Sequence, residues 1–240
     1  VVVMPAYNAS QTLSQTFSEL PEVVDEVVLV DDVSEDETAS LAQTLGIEHV
    51  IRHDRNLGYG GNQKTCYTRA LELGAEVIIM VHPDYQYTPK LVRAMSSLIA
   101  DDVFDCVLGS RILGVGALQG GMPRYKYLAN RCLTFIQNFA VGHKLSEYHT
   151  GFRAFSAEVL RELPLSENDN DFIFDNQMLL QIIAAGYRIG EVTCPTRYAA
   201  EASSISGLPL LKYGFGVIRE SLLFRLTRMG WVSGRYSISP

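Results

Sequence analysis

Two adjacent acids, Asp31 and Asp32, end the apolar run Val28-Leu29-Val30 and lead into Ser34-Glu35-Asp36-Glu37-Thr38. A strand that stops on two carboxylates and turns into a helix sets both acids at the carboxyl end of a sheet, the edge where open α/β sheets bind ligands. Carboxylates there suit ribose hydroxyls or the N–H edge of a base, not a bare phosphate. Ser34 or Asp36 offers a side-chain oxygen to the unpaired N–H groups of the next helix. Three more segments follow apolar runs: Pro5-Ala6-Tyr7-Asn8, Asn56-Leu57-Gly58-Tyr59-Gly60-Gly61-Asn62 and His82-Pro83-Asp84-Tyr85-Gln86. If the runs are parallel strands, all four segments share one cleft.

Gly58, Gly60 and Gly61 either form a simple turn or let backbone approach a diphosphate, with the next helix supplying its positive end. Their spacing is neither G-x-G-x-x-G nor the Lys-ended phosphate loop, which disfavours nicotinamide redox chemistry and ATP hydrolysis. Asp84 is the metal candidate: one carboxylate with phosphate oxygens and waters is a normal set for Mg²⁺ or Mn²⁺, and Gln86 offers a further oxygen. Such an ion would offset the charge of a departing diphosphate. As a cap for the helix near Pro89, Asp84 lies too far away to be the better choice.

The elements that must position these residues alternate. Strand-type runs lie at Val1–Met4, Glu26–Asp31, Ile47–Arg52, Val77–Val81 and Cys106–Gly109. Helical patterns fall between them, near Thr12–Leu20, Thr38–Leu45, Gly61–Leu73 and Pro89–Ile99. This predicts βαβ units and a mostly parallel central sheet flanked by helices, with the loops after the strands along one edge. After Arg111 a glycine-rich stretch precedes a long amphipathic helix carrying Tyr125, Leu128, Cys132, Phe135 and Phe139 at three- and four-residue steps. A helix near Asp171–Ala185, a late strand at Arg188–Thr193 and a last helix over Leu208–Met229 complete the pattern. The last helix carries a stripe at Leu211, Phe215, Ile218, Leu222, Leu226 and Met229 among scattered basic residues. It reads equally as a helix packed on the domain or as an interfacial helix on a membrane.

Composition excludes several classes. A chain of 240 residues, 47% hydrophobic, is large enough for a full core. Its net charge of −7 argues against a general nucleic-acid binder. Cys66, Cys106, Cys132 and Cys194 show no zinc spacing and read as reduced thiols of a cytoplasmic protein. No apolar run reaches the roughly 20 residues of a membrane span. No signal peptide is visible, and because Val1 is not a natural start the N-terminus is expected to be trimmed.

Pro-Ala-Tyr-Asn, Val-Asp-Asp-x-Ser-x-Asp-x-Thr, Asn-x-Gly-Tyr-Gly-Gly-Asn and the Asp84 segment, in this order, resemble the inverting family 2 glycosyltransferases. The dolichol-phosphate mannosyltransferase and polyprenyl-phosphate glycosyltransferase branch is the most similar. Gly109-Ser110-Arg111 and Thr150-Gly151-Phe152-Arg153 extend the match, which covers residues 1–205.

The resemblance implies a GT-A fold, with a nucleotide-sugar half at 1–111, an acceptor half at 112–205, and a C-terminal amphipathic helix and tail at 206–240. It implies a UDP- or GDP-hexose donor contacted by Pro5, Tyr7, Asn8, Asp31, Asp32, Asn56, Gly58, Gly60, Asn62 and Arg111. Asp84 matches the last acid of the family's D-x-D motif, and Gln86 the glutamine two places on. His82 stands where the first acid usually is, so Mg²⁺ is expected to bind more weakly and Mn²⁺ to be favoured. The ligand set for the divalent metal is then Asp84, Gln86 and His82, the alternative being that His82 touches the sugar or the phosphate directly.

Arg124, Arg131, Arg153 and Arg197 are the candidates for an acceptor phosphate, since guanidinium groups bind phosphate bidentately. Arg197 precedes Glu201 in a loop similar to the family's closing loop, where Ser203-Ser204 lacks the usual lysine. Asp175, with Asp171 four residues earlier, is either a solvated acid or a base or sugar ligand, and His149 is a second base candidate. The expected catalytic residues are Asp84, Arg153 and Asp175. The expected reaction moves a hexose, with inversion, to a polyprenyl phosphate on the cytoplasmic membrane face, in assembly of a cell-envelope glycan. Transfer to a saccharide, lipid or protein hydroxyl, an inactive sugar-nucleotide binder, and a nucleotidyltransferase are the alternatives.

Overall fold

The computed structural model describes residues 1–198 and 207–237. Its centre is a sheet of β1 (Val2–Ala6), β2 (Val27–Asp31), β3 (His49–Arg52), β4 (Val77–Met80), β5 (Cys106–Ser110), β6 (Arg153–Ser156) and β7 (Ile189–Thr193), in the order β3-β2-β1-β4-β6-β5-β7. Every pairing is parallel except those of β6, which runs antiparallel between β4 and β5. The inner strands β1 and β5 are buried along their whole length. That explains why they read as continuous apolar runs rather than alternating ones.

Helices cover both faces: α1 (Leu13–Ser18), α2 (Thr38–Thr44), α3 (Tyr59–Glu72), α4 (Val92–Ala100), α5 (Gly116–Gln119), α6 (Arg124–Val141), α7 (Ala157–Glu162), α8 (Phe174–Ala184) and α9 (Leu208–Arg228). Val3, Val28, Met80, Phe155 and Leu179 belong to one core cluster, and Met4, Leu29, Ile79, Val107 and Met95 to another.

The sequence pattern does not announce β6. Arg-Ala-Phe-Ser is four residues long, shows no alternation, and runs straight into α7, whose first turn Ser156 caps by accepting the Val159 N–H. Pairing with β4 on one side and β5 on the other stabilises it, a tertiary effect that local propensity does not report. Through β6, strands from both expected halves share one sheet.

The polar stretch after β2 does more than start α2. Asp36 accepts the Thr38 N–H at 3.1 Å, as a helix-start acid should. Its other oxygen accepts the Ser10 N–H at 3.0 Å, while Ser34 Oγ accepts the Asn8 N–H and Thr38 Oγ1 the Ala9 N–H, both at 2.8 Å. Asn8 Oδ1 accepts the Glu35 N–H in return. The loops after β1 and β2 are thus tied together before any ligand arrives.

The two long helices of the second half carry their apolar stripes outward. Asn130, Thr134 and Gln137 are the buried residues of α6, whereas Phe135 is 74% and Phe139 80% exposed. Gln137 and Asn176 exchange amide hydrogen bonds at 3.2 and 3.1 Å, which satisfies two buried polar groups at once. In α9, Val217, Glu220, Ser221 and Phe224 face inward, with Glu220 accepting from the Tyr236 hydroxyl. Leu211, Phe215 and Leu222 face out. None of the described helices is long and apolar enough to cross a membrane.

Candidate active site

A cleft of about 850 Å³ opens along the carboxyl ends of β1, β2 and β4. Pro5, Tyr7 and Asn8 line it from β1, Asp32 from β2, Asn56, Gly58 and Asn62 from the start of α3, and His82, Asp84 and Gln86 from β4. Arg111 and Asp175 also line it. The convergence of four loop segments on one rim is therefore observed. Tyr7 is 52% exposed, an aromatic face held at the cleft wall.

Asp32 is buried and used heavily. Its Oδ1 accepts from the Leu57 N–H at 2.8 Å and from His53 Nδ1 at 2.7 Å, and its Oδ2 from the Gly58 N–H at 2.9 Å. It ties β2 to the glycine-rich segment and keeps one lone pair for a ligand. Asp31, fully buried, pairs with Arg52 and accepts the Ser34 N–H; it does not line the cleft. Asn62 donates to the Ala6 and Val30 carbonyls, and Asn56 to the Asp32 carbonyl.

The glycines serve a different close approach from the one expected. A Cβ on Gly58 would lie 2.7 Å from the Asn170 carbonyl oxygen, and one on Gly60 would lie 2.6 Å from that of Asp169. Gly60 N–H donates to that Asn170 oxygen at 2.8 Å, and Lys64 donates to Asn168 and Asn170. What comes close to the start of α3 is the chain at 168–170. Gly60 itself does not line the cleft.

Beyond Asp84 the cleft contains a chain of polar side chains. The Tyr59 hydroxyl donates to Asp175 Oδ2 at 2.7 Å and sits 3.1 Å from His82 Nε2. Tyrosine has one O–H, which points at Asp175, so in the bond to Tyr59 it is His82 Nε2 that donates, leaving the lone pair of that tautomer on Nδ1. Burial, then the Asp175 charge, holds the Tyr59 phenol well above its usual value, so it stays a donor. His82 also explains Gly151, where a Cβ would lie 2.7 Å from Nε2. Asp175 Oδ1, His149 Nε2 and Gln86 Nε2 are buried cleft-residue atoms without a protein partner. Orphans of this kind are met by a water, an ion or a bound ligand.

The donor set suits a divalent cation. A carboxylate at Asp84 and an imidazole lone pair at His82 lie on one loop beside the cleft. Gln86 fits less well in that role: its orphan atom is the amide nitrogen, a donor that suits a phosphate or sugar oxygen. Its backbone N–H donates to Asp84 Oδ1 at 3.0 Å, which orients the carboxylate.

The expected acceptor arginines lie elsewhere. Arg153 is fully buried in β6 and donates to the carbonyls of Thr150, Asp175 and Tyr148 at 2.8, 2.6 and 3.0 Å. With those bonds made inside the protein it does not line the cleft, so an acceptor phosphate does not reach it. Arg124 and Arg131 are exposed on α6, and Arg197 stacks its guanidinium over Tyr85 at 5.5 Å; none of the three lines the cleft. Glu201, Ser203 and Ser204 lie outside the described residues.

Arg111 does face the cleft, paired with fully buried Glu147 and donating to the His149 carbonyl and the Tyr198 hydroxyl. Glu147 is held ionised against burial by Arg111, with Asn130 donating at 2.7 Å. Sequence reasoning missed Glu147, Tyr59 and Lys126. Lys126, on α6, lines the cleft, and its ammonium is pushed downward first by burial and then by Arg111. The one signal available for Lys126 was its place on the helix face opposite Tyr125 and Leu128.

Residues 1–164 match the model of glycosyl transferase family 2, and the chain belongs to that family. It is a glycosyltransferase with a GT-A fold. UDP-N-acetylglucosamine–dolichyl-phosphate N-acetylglucosaminyltransferase of Methanococcus voltae is 26% identical over 245 residues, covering 95% of this chain and 96% of its own. Polyprenol monophosphomannose synthase of Mycolicibacterium smegmatis is 25% identical, covering 95% and 89%. Among solved structures, glucosyl-3-phosphoglycerate synthase from Mycobacterium tuberculosis with UDP superposes with a TM-score of 0.70 at 18% identity, over 97% of this chain and 80% of that one. That likeness supports the fold.

Proposed function

We propose that this glycosyltransferase moves a hexose from a nucleoside diphosphate sugar to a polyprenyl phosphate with inversion at the anomeric carbon. The observation that carries the reading is the composition of the cleft. One end presents Tyr7, Asn8, Asp32 and Asp84 to a nucleotide. The other is bounded by Lys126 and Leu133 of α6 and by Leu210 and Tyr213 of α9, a cation with apolar walls. Two relatives whose names specify a dolichyl phosphate or polyprenol acceptor align over nearly the whole chain.

Asp84 and His82 would hold a Mg²⁺ or Mn²⁺ ion, which would supply charge neutralisation to the departing diphosphate. Solved structures of the mycobacterial synthase carry UDP with either ion. Asp175 Oδ1, the buried orphan acceptor, accepts a hydrogen bond from a hydroxyl of the donor hexose, and Tyr59 fixes the carboxylate for that purpose. A phosphate acceptor is already ionised near neutral pH and attacks without a base. Lys126 takes the acceptor-phosphate role expected of Arg153. The protein's contribution is alignment and electrostatic preorganisation.

The test is incubation with UDP- or GDP-hexoses, dolichyl phosphate and Mn²⁺. An organic-extractable, mild-acid-labile glycolipid supports the reading, and Asp84→Ala should abolish it without unfolding the protein. Sugar transfer confined to free hydroxyl acceptors would replace the polyprenyl phosphate by an alcohol.

A further inference from the structure

Exposed apolar side chains are concentrated on one part of the molecule. Tyr125, Leu128, Phe135 and Phe139 on α6 and Leu208, Leu211, Phe215 and Leu222 on α9 are at least half exposed, and Trp231 follows at 71%. The two helices pack against each other, so the stripes belong to neighbouring elements. Large apolar side chains exposed together on two packed helices mark an interaction site.

The charge of the same region says what it meets. Segments 112–146 and 207–237 contain nine Lys and Arg and a single acid, Glu220, on a chain whose net charge is −7. Glu220 is buried and bonded to Tyr236, so the outer surface of these segments is cationic. Arg131, Arg225 and Arg228 are exposed beside the apolar stripes, and so are Lys212, which pairs with Asp171 at 2.7 Å, and Arg219, which pairs with Glu220 at 3.3 Å. Aromatic and aliphatic side chains flanked by cations match a bilayer with anionic headgroups, the apolar groups entering the acyl boundary and the basic ones remaining at the phosphates. A second copy of the chain would bring like charges together, which opposes association.

We propose that the outward faces of α6 and α9 form one docking surface for an anionic lipid bilayer. The surface stands on exposure and charge alone. Its use in catalysis rests on the function proposed above: the opposite side of α6, at Lys126, Asn130 and Leu133, lines the cleft, so docking holds the cleft one helix diameter, roughly 10 Å, from the bilayer that carries a lipid-linked phosphate.

Co-sedimentation with phosphatidylcholine vesicles, with and without phosphatidylglycerol, tests this. The wild-type protein should bind the phosphatidylglycerol vesicles, and added salt should weaken binding. Arg225→Gln with Arg228→Gln should lower affinity roughly thirty-fold, from about five-fold per basic side chain near an anionic surface. Phe135→Asp with Phe215→Asp should remove binding while the melting transition and the thermal shift given by nucleoside diphosphates stay as in the wild type. Absence of vesicle binding by the wild type, equal binding to both compositions, or a dimer in sedimentation velocity that Phe135→Asp dissociates would each overturn the proposal. The nucleotide thermal shift separates that failure from failure of the glycosyl-transfer reading.

Discussion

Replacing Asp32 by Asn asks whether this acid serves the ligand or the scaffold. The carboxylate accepts from His53, Leu57 N–H and Gly58 N–H, and it is 3% exposed. An amide oxygen can keep His53 and Leu57, but its NH₂ group then faces the Gly58 N–H, donor against donor. One buried N–H left without a partner costs about 1–3 kcal/mol, and the remaining bonds lose their charge assistance. The expected destabilisation is roughly 2–4 kcal/mol, or about 5–15 °C in Tm for a chain of this size. Thermal unfolding followed by circular dichroism gives the stability change, and calorimetry with UDP and GDP gives the affinity. Nucleotide affinity should fall only modestly below the transition, because one lone pair of Asp32 faces the cleft. A variant that melts like the wild type yet loses nucleotide binding more than ten-fold would show that the carboxylate acts on the ligand and that the loop-tying argument is wrong.

Two further outcomes follow from the same packing. Gly60→Ala sets a Cβ 2.6 Å from the Asp169 carbonyl oxygen and 2.6 Å from Phe174 Cβ; overpacking of this kind should cost roughly 1–3 kcal/mol in urea unfolding, and an unchanged midpoint would deny the close seating of 168–170 on α3. His149, on the cleft wall, is held down to about 4 by burial from an ordinary value of 6.5. The unfolded chain therefore binds the extra proton first, so stability is full above 6.5 and is lost as pH falls toward 4, by up to about 3 kcal/mol. His149→Gln should flatten the stability profile between those two values, and an unaltered profile would place the acid sensitivity elsewhere.

The sequence carried the alternation of strands and helices, and with it the parallel sheet and its ligand edge, because buried parallel strands must be continuous apolar runs. It also carried the cleft positions of Tyr7, Asn8 and Asp84, which follow from lying at strand ends, whereas Asp175 read also as a solvated acid. What it could not carry was the partner of each polar group. Arg153 reads as an anion binder until β6 places it inside the sheet, where three main-chain carbonyls accept hydrogen bonds from its guanidinium. Gly58 and Gly60 read as either a turn or a diphosphate approach, and the chain at 168–170, more than a hundred residues away, which lies against both, shows nowhere in that local pattern. The stripes on α6 and α9 were legible as periodicity, but their direction was not. Periodicity says that a helix has two faces; only the neighbours, here Glu147 and Asn176 bonding to Asn130 and Gln137, decide which face is buried. Local patterns fix what each segment can form, whereas long-range hydrogen bonds and packing decide which side chains are spent on the fold and which are left for chemistry.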